Sequence, residues 1–272
     1  MIQKILLVVL IVIPSFTIAQ NRIDTKGKKQ GIWEKHYPSG ALMYKGNFKD
    51  GYPFGEMKRY YDTGELKAKL FFSEKGKKSK AELFSKKGEL LAKGNFYNRK
   101  KDSTWNYFDA KKRIRAIETF AAGKKQGVCK YLFKNGAVSE IITYASGIKN
   151  GSWKRYYPNE KILFETNYVN GKLNGSFISR YKNGVVEVSG TYKKGKKHGK
   201  WKTYSPDGKC KATIVYQNGI ASNQEQLDAK QQEALKQMDA QKDLLTDPEK
   251  YQDNPDGYMQ KLREKRAKKK KQ

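Results

Sequence analysis

The chain has 272 residues and a net charge of +30 at pH 7, from 57 Lys+Arg against 27 Asp+Glu, with only two histidines and two cysteines. His36 and His198 stand near opposite ends of the repetitive part of the chain, so neither zinc chelation nor a Ser-His-Asp arrangement can be assembled around them. The charge excess directs attention to anionic partners, but no helix-turn-helix, zinc module or RNA-binding signature accompanies it, so sequence-specific nucleic-acid recognition is not expected.

Residues 1–19 read as an export leader: Lys4, an apolar run from Ile5 to Ile13, then Thr17-Ile18-Ala19 ahead of Gln20. The run is short for a membrane span, and no cysteine follows for lipid attachment. The expectation is a chain cleaved near Ala19, exported to the periplasm or medium or held at the envelope.

From 27 to 219 the sequence repeats. Phe48, Phe72, Phe96, Phe120, Tyr144, Tyr168, Tyr192 and Tyr216 recur every 24 residues. Glycines keep the same step at Gly27, Gly51, Gly123, Gly147, Gly171 and Gly195, and again four residues later and in mid-unit. A large apolar slot holds Trp33, Met57, Trp105, Cys129, Trp153, Phe177 and Trp201, and fails only at Ala81. Nine residues on, an aliphatic slot runs from Leu42 to Val186, with Cys210 last.

Asn-Gly dipeptides, as at 135–136 and 174–175, and Pro-Ser-Gly at 38–40 supply tight turns. Between turns, alternation puts Trp33, Lys35, Tyr37, Leu42, Tyr44, Gly46 and Phe48 on one face. The fold class is therefore all-β repeat: an elongated single-sheet stack of about eight 24-residue β-hairpins, with a C-terminal α-helical tail. Two strands advance the stack by about 10 Å, so eight units span roughly 75–80 Å. One hairpin cannot bury its apolar row, whereas stacked neighbours can.

Segments such as GSWKRYYPNEKI at 151–162 and GKWKTYSPDGKC at 199–210, each followed by Gly-x-Tyr or an equivalent, resemble the MORN repeat in its bacterial variant form. The resemblance covers 27–218. It implies hairpin stacks that contact proteins or anionic lipids, in chains often labelled antitoxin-like. It carries no catalytic residue, metal ligand or cofactor site, so no enzyme activity and no cofactor are expected. Units three and four depart most: Lys75, Ser79, Arg99 and Ser103 replace loop glycines and Ala81 replaces the tryptophan. Looser packing is expected there, with faster amide exchange over 75–104 than over 147–200.

Lysines recur between units at Lys28, Lys29, Lys77, Lys78, Lys100, Lys101, Lys124, Lys125, Lys149, Lys172, Lys196 and Lys197. Stacking would align them along one edge at about one Debye length, forming a ribbon suited to a polyanion such as anionic lipid or glycan. Exposed lysines also keep a long sheet soluble and its edges unpaired. Cys129 and Cys210 lie three units apart, beyond disulfide reach, and read as buried free thiols.

After Gly219 the composition turns helical. Residues 222–246 read as a helix covering the open edge of the last hairpin or serving as a partner-binding arm. Asp247-Pro248-Glu249 opens a second helix, so 222–262 form the tail, and 263–272 a basic disordered end. The functional expectation is an exported binding or scaffold module whose partner is a protein. Two alternatives are an antitoxin or immunity-type protein that occludes its partner, and an envelope adaptor for anionic lipid or glycan.

Overall fold

The computed structural model describes residues 21–242. The leader, the second helix and the basic end expected from sequence lie outside the described residues. Twenty strands, from Arg22–Ile23 to Ile220–Ala221, form one open antiparallel sheet, and the helix Gln224–Lys242 follows. Pairing runs in chain order throughout.

The first unit shows how each hairpin is built. Lys29–His36 pairs with Leu42–Lys49, placing Trp33 opposite Gly46 and Gly31 opposite Phe48. In the mid-unit turn, the Gly40 amide donates to the Tyr37 carbonyl at 2.9 Å with φ of 86° at Gly40. That left-handed residue lets a three-residue loop close the hairpin. At the next boundary Asp50 and Gly51 both have positive φ, 53° and 84°, the turn that matches strand twist.

Turns stack on turns. The Gly51 amide donates to the Lys29 carbonyl at 3.0 Å, and Gly147 to Lys125, Gly171 to Lys149 and Gly219 to Lys197 do the same at 2.8–2.9 Å. At the other edge, the Tyr37 hydroxyl donates to the Tyr60 carbonyl, Tyr61 to Phe84, Tyr157 to Arg180 and Tyr181 to Tyr204. Ser85, Asp109, Phe133 and Ser205 hold the corresponding positions in the other units, so this tyrosine clasp is absent there.

A one-residue register shift between Lys35 and His36 sets Leu42 opposite His36. It recurs down the sheet, setting Leu66 opposite Tyr60, Leu90 opposite Phe84 and Ile162 opposite Tyr156. Cross-strand partners share a face, and a one-residue slip exchanges faces. The aliphatic slot therefore lies on the face opposite Trp33, in a second apolar row beside the mid-unit turns. Strict alternation misassigned it because it allowed for no bulge.

The tryptophan face packs by reciprocal size. A Cβ on Gly94 would lie 2.2 Å from the Trp105 ring, one on Gly190 2.2 Å from Trp201, and one on Gly46 2.9 Å from Met57. These glycines let large slot residues lie flat on the preceding strand. At the next equivalent position the order inverts: Leu70 is opposite Ala81, and Ala81 is 4 % exposed. Leu70 thus takes on the opposite strand part of the space that a tryptophan at position 81 would fill.

The loop substitutions divide likewise. Lys75, Arg99 and Ser103 adopt the left-handed conformation without glycine, at φ of 52°, 62° and 56°. Ser79 is relieved of it. The turn after Ser73 spans four residues instead of two, and Phe72 pairs with Ser79 and Ser73 with Lys78 without a register shift. Ser79 thus sits in regular strand, 3 % exposed.

Short strands cover both ends. Arg22–Ile23 pairs with Lys29 and Gln30, and the Trp33 Nε1 donates to the Arg22 carbonyl at 3.2 Å. Ile220–Ala221 pairs with Tyr216 and Gln217. The helix does not cap the edge: residues 228–239 are exposed along their length, with Met238 68 % exposed. Its stripe is too thin to hold it on the sheet. Cys129 is buried as expected, but Cys210 is exposed, because its strand has only a two-residue partner on the outer side.

Candidate functional site

The tryptophan face is the feature most able to recognise something. Trp33 meets Phe48 edge-on at 6.2 Å, and Phe96 meets Trp105 at 4.9 Å. From Trp153 to Tyr216 the rings touch without a break. Trp153 contacts Phe164 and Tyr168, Phe164 stacks on Phe177, Phe177 on Trp201, and Trp201 meets Tyr192 and Tyr216. Trp105, Trp201, Phe48 and Phe120 are buried, whereas Trp33, Trp153, Phe72, Phe96, Tyr144, Tyr168, Tyr192 and Tyr216 keep part of their surface in solvent.

Lysines cross this ladder at the same period. Lys29 Nζ lies 4.2 Å from the Trp33 ring centre, Lys101 4.6 Å from Trp105, Lys149 5.3 Å from Trp153 and Lys197 4.7 Å from Trp201. Each also lies near the aromatic residue fifteen positions beyond the slot, as Lys149 does at 5.1 Å from Tyr168. Lys125 lies over Tyr131 and Tyr144 instead, because its slot holds Cys129. These stems lie across the rings, and each attraction is worth about 0.5–1 kcal/mol at an exposed site.

The twelve lysines expected in one ribbon therefore form two sets. Lys29, Lys101, Lys125, Lys149 and Lys197 are half-buried on the ring face. Lys28, Lys100, Lys124, Lys172 and Lys196 are exposed at the turn edge, each with its Cβ 3.4–3.7 Å from where a Cβ on the next turn glycine would lie. That second row keeps the unit-to-unit alignment a polyanion ribbon requires. Lys77 and Lys78 are exposed beside the widened turn, and Lys78 pairs with Glu74 at 3.7 Å. The parity of Lys29 with Trp33 in one strand already separates the two sets.

A charged node interrupts the ladder between units four and five. Glu118 occupies the position of Gly46 and Gly94; it accepts from Lys125 Nζ at 2.5 Å and from the Tyr131 hydroxyl at 2.9 Å. Lys101 Nζ donates to the Tyr107 hydroxyl at 2.8 Å. Burial alone would raise the Glu118 pKa, but donors from Lys125 and Tyr131 outweigh it and hold the carboxyl below its ordinary range. Burial likewise works against charge on Lys125, yet bonds to Glu118 and Tyr131 raise its pKa. Burial pushes the Tyr131 phenol up to about 12 and the Tyr107 phenol well above its usual value, while it depresses Lys101. Sequence reading missed this node. Its signal was a carboxylate at a 24-residue position otherwise held by glycine, Leu70, Ile142, Thr166 or Ile214.

Among the described residues, no group of three or more His, Cys, Asp or Glu side chains converges on a point where a metal ion could sit.

The profile of the MORN repeat variant matches at four places, 29–50, 55–74, 149–170 and 197–218. Those are the first, second, sixth and eighth hairpins, and the same sheet runs on through the unmatched ones. No curated protein matches the chain. Solved structures with partial likeness include TarM (14 % identity, TM-score 0.27, 33 % of this chain and 18 % of that one). A mutant S. aureus TarM in complex with Fondaparinux, alpha-GlcNAc-glycerol and UDP gives 13 %, 0.28, 35 % and 19 %. TcdB2-TccC3-Cdc42 gives 12 %, 0.19, 71 % and 12 %. The chain spans less than a fifth of the length of these proteins, and likenesses this partial carry no argument.

Proposed function

We propose that this chain is an exported, non-enzymatic binding module that presents its aromatic and lysine face to a protein partner. The observation that supports this reading is a ring ladder left uncovered by any second layer among the described residues, with cations at fixed spacing across it. Aromatic side chains supply large, low-entropy contact area, and lysines on the same surface favour a partner carrying acidic groups. An antitoxin or immunity-type role is the special case in which the captured protein is thereby silenced.

The test is capture of a native envelope partner by the mature chain, followed by face-selective charge reversal. Lys149→Glu with Lys197→Glu should abolish capture, whereas Lys154→Glu with Lys202→Glu, on the opposite face, should leave it intact. Equal effects of the two pairs would end the assignment to this face.

The exposed row Lys28, Lys100, Lys124, Lys172 and Lys196 favours a second reading, an adaptor for anionic lipid or glycan. Association by that row should fall steeply with salt as counterions are released. Vesicle or glycan binding that is unchanged between low and high salt would eliminate it.

A further inference from the structure

The lysine row over the ladder breaks at Leu173 and at Pro53, where the 24-residue step calls for counterparts of Lys29, Lys77 and Lys101, and of the two only Pro53 lies beside a widened turn. A proline ring cannot reach across Met57 and Phe72 as a lysine stem reaches across Trp33 and Phe48. The neighbouring turn is displaced as well. It is the widened four-residue turn after Ser73, and its Gly76 packs so close to Pro53 that a Cβ there would lie 2.7 Å from the proline Cδ.

Together these features open a depression of about 910 Å³ on the ring face, the size of a small-molecule pocket. Its floor is apolar: Met57, Leu70, Phe48, Phe72 and Phe96. Its rim carries five cations, Lys29, Arg59, Lys75, Lys77 and Arg99, and no carboxylate lines it. The acids on adjoining strands are held elsewhere, with Glu56 on Lys58, Glu74 on Lys78 and Glu82 on Lys93. Five like charges around an apolar floor favour an anion that joins them. Lys75 and Arg99 are moreover kept in the left-handed conformation that glycine fills in other units.

We propose that this depression is a binding site for a small amphipathic anion, with its apolar body on Met57, Leu70 and the phenylalanines and its anionic group at the turn-side cations Lys77 and Arg99. The site takes a free organic anion rather than a macromolecule, and does not depend on how the rest of the ladder is used.

A matched pair of probes tests it on the full chain. Anilinonaphthalene sulfonate should bind at one site per chain with a rise in fluorescence, and at least about tenfold more tightly than uncharged N-phenylnaphthylamine, which has the same apolar body. Pro53→Lys restores the missing stem. It adds positive charge, yet should weaken the sulfonate at least about tenfold, because the floor is then covered. Lys77→Glu with Arg99→Glu should weaken the sulfonate and spare the neutral probe. Lys154→Glu, on the opposite face of the sheet, should change neither.

Equal affinity for the two probes, many equivalent sites per chain, or undiminished binding to Pro53→Lys would overturn the proposal. Circular dichroism reports whether Pro53→Lys folds; if it does not, the exposed Lys77 and Arg99 pair decides the matter alone.

Discussion

The stretch from Phe48 to Ile142 and the stretch from Ile148 to Gln217 build the same hairpins around different interiors. The first buries Phe48, Met57, Ala68, Leu70, Ala81, Ala92, Trp105, Phe120, Cys129 and Ile142, mostly small or aliphatic residues with three aromatic rings among them. In the second, Trp201 is the one hydrophobic side chain that is buried, and an unbroken run of half-buried rings does the packing. One region gains stability by depth, the other by ring contact and lysine cover. The hairpins that the repeat profile leaves unmatched fall mostly in the deeper region. Departure from the repeat pattern there is thus substitution of one packing solution for another, not decay.

The largest expected contrast comes from the tryptophans. Trp105 is 0 % exposed, and Trp105→Ala should cost about 4 kcal/mol in denaturant unfolding. Trp153→Ala removes a half-buried ring and should cost about half as much. Equal losses would show that burial depth does not separate the regions.

Glycines come next. Gly94→Ala drives a methyl group into the Trp105 ring and should cost about 2–3 kcal/mol. Gly64 has open space around it but a φ of 98°, so Gly64→Ala should cost only about 1–2 kcal/mol of backbone strain. The reverse order would mean that Trp105 does not lie on that strand.

The charged node sharpens the boundary between the regions. Glu118→Ala should cost about 2 kcal/mol, since it leaves Lys125 and Tyr131 without their acceptor. Because the Glu118 carboxyl is held below its ordinary 4.5, its contribution is complete above that pH and lost as pH falls through the depressed value. Amides over 116–131 should lose protection on acidification, and the Glu118→Ala chain should lose less. An identical acid response in both chains would remove the node from the account.

The smallest effects belong to the tyrosine clasps. Tyr61→Phe or Tyr157→Phe should cost about 1 kcal/mol, the net worth of one hydrogen bond. Phe133→Tyr installs a clasp in a unit without one and should recover up to about that amount, read as a shift in thermal midpoint.

The period made the sheet readable: eight aromatics at one step and glycines at the turns determine hairpin number and order. The face of each slot was less legible. A bulge inserts a residue without altering the period, so Leu42 and its equivalents crossed to the opposite face unseen. Leu70 was equally hidden, because it compensates for Ala81 eleven residues away and on another strand. The lysine row was visible as composition but not as cover for rings. The break at Pro53 acquires meaning only beside Lys29 and Lys77 in three dimensions. The tail misled because its length and capping signals matched a helix, while its apolar stripe was too thin to bind the sheet edge.

Native-state amide exchange compared between 78–108 and 148–204 tests most directly whether the departing units are sound parts of one sheet. With Ala81, Ala92 and Trp105 buried, protection over 78–108 should equal or exceed that over 148–204. A block of fast-exchanging amides within 78–108 would contradict it.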